Sequence, residues 1–109
     1  MYASDLTLVE CDRNLIRCEH ARQLSPIVAA ERRAVLAEFS RNWSVLRLDG
    51  EVIQRARSRF ADEPIRSLDA LHLASALVAS RTAVGTALLS PDDRIRRAGR
   101  ALGFEILPN

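Results

Sequence analysis

The run from Ser67 to Leu77, Ser-Leu-Asp-Ala-Leu-His-Leu-Ala-Ser-Ala-Leu, is apolar almost all the way round a helix. A helix without a polar face has to be enclosed by other elements. Ser67 is expected to cap it, which puts Asp69 in its first turn. Short apolar runs supply the enclosing layer. Ala87-Leu88-Leu89 lies between Gly85 and Ser90-Pro91-Asp92, the pattern of a fully buried parallel strand feeding a turn. Trp43 to Leu48 is rich in strand formers and closed by Asp49-Gly50, and Phe104 to Pro108 follows the stop signal Gly103 as a last strand. Strands alternating with helices give the α/β class, with a parallel sheet covered on both faces.

The remaining helices follow from caps and period. Ser4 caps a helix running to Glu19, with Leu8, Cys11, Leu15 and Cys18 on one face. Ser25-Pro26 opens a second, whose apolar stripe is Ile27, Val28, Val35, Leu36 and Phe39 and whose end falls at Asn42. Asp49 caps a third that aligns Val52, Ile53, Ala56 and Phe60 and stops at Pro64. The helix after Asp92 turns Ile95, Ala98 and Leu102 inward and Arg94, Arg96, Arg97 and Arg100 outward. At 109 residues the expectation is one domain over 1–109.

Composition narrows the function classes. Hydrophobic residues make up 48% of the chain but are broken by charges, so no run approaches the roughly 20 apolar residues of a membrane span. The start, Met1 to Asp5, carries no export signal, and a cytoplasmic location is expected. Cys11 and Cys18 stand about 10.5 Å apart along a helix, beyond the roughly 7 Å that a disulfide spans between Cα atoms. They are expected to be buried, inert thiols. All 16 basic residues are Arg and barely outnumber 14 acids, so charge balance alone does not mark a nucleic-acid binder. The Arg fork does suit phosphate.

Three acids stand out by position: Glu10 inside the first helix, Asp69 at the start of the buried one, and Asp92 at a strand end. Singly, each has a plain explanation as a solvated residue or a complement to helix N-terminal charge. Asp69 is different, because Leu68, Ala70, Leu71 and Leu73 flank it and no basic residue follows it at helical spacing. A carboxylate among apolar neighbours needs a partner. Mg2+ or Mn2+ would satisfy several carboxylate oxygens while retaining water, and metal-bound water is a nucleophile suited to phosphodiester hydrolysis. His72, one turn after Asp69, reads as a hydrogen-bonded core residue. Asp93 is expected to pair with Arg97 at i,i+4.

Ser4 to Glu10, Arg66 to Ala76, Leu88 to Ile95 and Ala101 to Leu107 together resemble the PIN domains of VapC-type toxins, in order and over essentially the whole chain. The resemblance implies a three-layer α/β/α fold and an acid-rich site that binds Mg2+ or Mn2+ and cleaves RNA. It also implies a cognate antitoxin and a homodimer. Glu10, Asp69 and Asp92 fall on three of the family's acidic positions, as catalytic and metal-holding residues; Ser90 falls on a frequent hydroxyl position, with Asp93 as an accessory acid.

PIN domains of this type begin with a strand carrying an Asp and then helices, and the chain matches the family only after them. The expectation is therefore an N-terminally truncated PIN-like domain, lacking the central strand and one ligand. Two functions stay open: a metal-dependent endoribonuclease, and a catalytically impaired binding module that dimerises or holds an antitoxin. A response-regulator-like domain needs a Lys, and the chain has none.

Overall fold

Ser4 has two structural duties. It closes strand β1 (Tyr2–Ser4) and its side chain caps helix α1 (Asp5–His20), the hydroxyl accepting from the Thr7 N–H at 3.3 Å. The computed structural model describes residues 2–82 and 85–108, which form two compact units, residues 1–46 and 47–109. In the N-terminal unit, α1 is followed by α2 (Pro26–Ser40) and β2 (Ser44–Leu46). β2 pairs in parallel with β1, Ala3 opposite Val45. Ser25 caps α2 by accepting from the Val28 N–H at 3.1 Å, with Pro26 in the first turn as expected.

Burial in this unit departs from the apolar pattern. The α1 face of Leu8, Cys11, Leu15 and Cys18 is half-buried, so the two thiols are free but not enclosed. On α2 the buried position is Ala29, while Ile27, Val35 and Phe39 are 72%, 54% and 65% exposed. The stripe exists, but three of its members face outward and Val28 and Leu36 are only half-buried. α2 also stops at Ser40, short of Asn42, and β1 is a strand of three residues where only a helix start was expected.

The C-terminal unit runs α3 (Gly50–Ala56), α4 (Ser67–Ser80), β3 (Ala87–Leu89), α5 (Asp93–Ala101) and β4 (Glu105–Leu107). β3 and β4 are parallel, Leu88 opposite Ile106. Asp49 caps α3 by accepting from the Val52 N–H at 3.1 Å. α3 ends at Ala56 rather than at Pro64, so Phe60 enters the core from the following loop. The N-cap of α4 is Arg66 rather than Ser67, because Arg66 holds the extended backbone a cap requires and Ser67 is already helical. Leu89 is 61% exposed, so β3 is not fully buried.

The core of this unit is Val52, Phe60, Ala70, Leu73, Ala74, Ile95 and Ala98. α4 lies between α3 and α5 in it, and an Arg81–Glu51 ion pair ties the end of α4 to the start of α3. A Cβ on Gly99 would stand 2.6 Å from Leu88 Cδ2 and 2.9 Å from Ile106 Cδ1, so the glycine lets α5 lie close on the β3–β4 pair.

Leu73 is fully buried. Leu73→Ala is expected to lower the unfolding free energy by about 2–5 kcal/mol in urea titration, since it removes both transfer energy and packing partners.

Candidate functional site

The chain turns sharply where β3 ends. Buried Ser90 continues the ladder by donating its N–H to Leu107 O at 3.0 Å, and its hydroxyl accepts from the Asp92 N–H at 3.1 Å. That bond fixes the backbone of Asp92, which caps α5. Its Oδ1 accepts from the Arg94 N–H at 2.8 Å and the Ile95 N–H at 3.4 Å. Oδ2 takes no hydrogen bond among the described residues. Arg96 fastens the corner from behind, donating to Ser90 O at 2.8 Å and Pro108 O at 2.6 Å. It is half-buried, not outward as its place among charged neighbours suggested.

Asp69 stands in the first turn of α4, half-buried, with neither a hydrogen bond nor an ion pair to its carboxylate among the described residues. It lines a groove of about 370 Å³ with Asp62, Ile65, Arg66, Arg94 and Arg97. The loop forming one wall is held by Glu63, whose two carboxylate oxygens accept from the Phe60 and Ile65 N–H groups, each at 2.8 Å. Arg97 Nε lies 3.3 Å from Asp62 Oδ2, so its partner is Asp62 and not Asp93. Across 35 residues a loop acid outcompetes the acid one turn away. Asp93 is exposed in the first turn of α5.

Arg94 connects the two acids of this unit. It lines the groove with Asp69, and its Nε is 3.8 Å from Asp92 Oδ1. Glu10 is an exposed residue of α1, in the N-terminal unit. His72 is half-buried and has a partner. Within the described residues of either unit, no three His, Cys, Asp or Glu side chains gather into a set able to hold one ion. The donors themselves suit a hard cation: among the described residues, Asp69 has both oxygens uncommitted and Asp92 has one. A second groove, about 700 Å³ at the α1–α2 turn beside His20 and Ser25, contains none of the candidate acids.

A family model described as PIN domain matches residues 1–101, reaching across both units to the last residue of α5. The ribonuclease VapC35 of two strains of Mycobacterium tuberculosis is 34% identical over 104 residues, covering 95% of this chain and 69% of the relative. The chain belongs to the VapC-type PIN-domain family. No solved structure matches it. The α/β class and parallel pairing expected of a PIN domain are both present, one pair in each unit. Among the described residues no helix is long and apolar enough to cross a membrane.

Asp62 and Glu63 were not singled out by the sequence, and Arg96 was expected to face outward. Only Glu63 carried a local signal, an acid within three residues of the loop N–H groups it binds.

Beside Glu10, partial burial pushes the Cys11 thiol upward, and the negative charges of Asp12 and Glu10 add to the shift. The shift disfavours the thiolate, which is the reactive form, although the thiol is not enclosed. Removing one charge favours thiolate. Asp12→Asn is expected to lower the Cys11 pKa and speed its alkylation at pH 8, followed by mass spectrometry of the labelled peptide.

Proposed function

We propose that this PIN domain is a metal-dependent endoribonuclease, the toxin of a toxin–antitoxin pair, acting on RNA phosphodiester bonds in the cytoplasm. The observation that carries the reading is Asp69: a half-buried residue whose carboxylate has no partner among the described residues, in a groove lined by arginines, on a chain 34% identical to a ribonuclease. Burying an ionised carboxylate without compensation is costly, and a bound cation removes that cost.

Asp69 and Asp92 would hold Mg2+ or Mn2+, with Glu10 as the third acid. A bound divalent ion supplies a water of lowered pKa and neutralises charge on the phosphate. The chain's own residues do the positioning. Ser90 sets the Asp92 backbone through its hydroxyl, and the cap on α5 holds one carboxylate oxygen while leaving the other. Asp93 adds negative charge beside Asp92 in the first turn of α5. A cognate antitoxin and a second copy of the chain are the protein partners in this reading. The outward Ile27, Val35 and Phe39 of α2 are surface available to such partners.

A second reading has its own support. It is a binding module that holds an antitoxin without cleaving RNA, for which the outward Ile27, Val35 and Phe39 offer apolar surface.

Cleavage of a labelled RNA separates the two. With Mn2+ the chain is expected to cut; EDTA should abolish cutting, and Asp69→Asn should reduce it at least about a hundredfold. Cutting that survives both treatments would remove Asp69 and the ion from the reaction. No cutting by the wild-type chain, with no Mn2+ affinity by calorimetry, would select the binding module.

A further inference from the structure

We infer that Arg66, Arg94 and Arg97 form a track for the phosphodiester backbone of single-stranded RNA, and that it leads a phosphate to Asp69. The inference rests on the nuclease reading for its ligand but on separate residues for its geometry. All three arginines line the groove that contains Asp69. Among the residues that line the groove, three guanidinium groups stand against two carboxylates, Asp62 and Asp69, with Asp92 paired to Arg94 from outside the lining.

The way the arginines are held makes them available. Arg97 contacts Asp62 through Nε at 3.3 Å, and Arg94 faces Asp92 through Nε at 3.8 Å. Among the described residues, the terminal NH1 and NH2 groups of both make no hydrogen bond, and the Arg66 side chain makes none at all. Each acid thus steadies one edge of a guanidinium and leaves the two-pronged edge open. That edge matches two phosphate oxygens. Arg94 and Arg97 are three residues apart on α5 and share a face, while Arg66 approaches from the N-cap of α4, three residues before Asp69. A solvated helix face would not place arginines from two helices in one groove with an unpartnered acid. Arg100, on the same helix, does not line the groove.

The test measures binding apart from cleavage. A fluorescein-labelled single-stranded RNA is titrated with the full chain in EDTA at several KCl concentrations, and anisotropy gives affinity and its salt slope. Arg66→Ala and Arg97→Ala are each expected to weaken binding roughly three- to tenfold and to make the slope shallower by about 0.7, one phosphate contact on a single strand. Arg66→Lys should keep the slope and lose part of the affinity, because charge remains without the fork. Arg100→Ala should change neither. Circular dichroism checks that each variant is folded.

Unchanged affinity and slope in the Arg66→Ala/Arg97→Ala double variant would overturn the track, as would an equal loss in Arg100→Ala. So would lost affinity for polyglutamate with RNA binding intact, which would assign the groove to an acidic protein partner. If wild-type protein cleaves RNA while the double variant binds normally, the track falls and the nuclease reading stands. If the variants lose RNA while the wild type cuts nothing with Mn2+, the track stands and the nuclease reading falls.

Discussion

Complete exclusion of Leu73 and Ala74 from water is the interaction on which the C-terminal unit depends. Burying a leucine side chain is worth about 1.5–3 kcal/mol, and here it fixes α4 between α3 and α5. Asp69 precedes Leu73 by four residues, so the two lie on one face of the helix. Whatever seats Leu73 in the core also carries the Asp69 carboxylate to the rim of the same apolar seam. The acid is half-buried by geometry rather than by choice of partner. Among the described residues, no side chain or backbone donor meets that carboxylate.

The second acid is placed by different means. Asp92 sits where a strand ends and a helix begins, and both elements are anchored there by polar groups rather than by apolar bulk. Ser90 uses its N–H, hydroxyl and carbonyl in three separate hydrogen bonds, and Arg96 reaches the ends of both strands. These bonds are strong because the arginine donors are charged and partly sheltered. Gly99 completes the arrangement from the other side, since a Cβ there would press on the terminal methyl groups of Leu88 and Ile106 and force those side chains to shift.

Much of this was legible in the sequence, where local rules coincide with the final structure. Caps at Ser4, Ser25 and Asp49, the parallel runs at Ala87 and Glu105, and the buried helix carrying Asp69 all follow from period and capping chemistry. Three kinds of feature did not. β1 has only three residues, too few for any alternation to register. The α2 stripe is a true helical period, but period tells which residues share a face and not whether that face is covered; small Ala29 is enclosed while Phe39 is exposed. The groove was invisible because it depends on contacts distant in sequence, Arg97 with Asp62 and Arg94 beside Asp69. At the acids themselves the family resemblance named positions, and the structure supplies their surroundings.

Capping and ion binding are usually weighed as rival explanations of an aspartate at a helix start. At Asp92 they are compatible, because a carboxylate has two oxygens and the cap engages only Oδ1. The arginines follow the same logic: Asp62 and Asp92 meet Arg97 and Arg94 at Nε, and the forked edges stay open. In each case a structural bond takes one edge of a group and orients the other. A side chain held on one edge has less rotamer freedom left to lose when a ligand arrives, which lowers the ordering cost of binding. This also explains why the plain reading of a residue, even when correct, does not dispose of the chemical one. Asp69 completes the contrast: no bond to another described residue orients it, and only its place on the Leu73 face of α4 sets its direction.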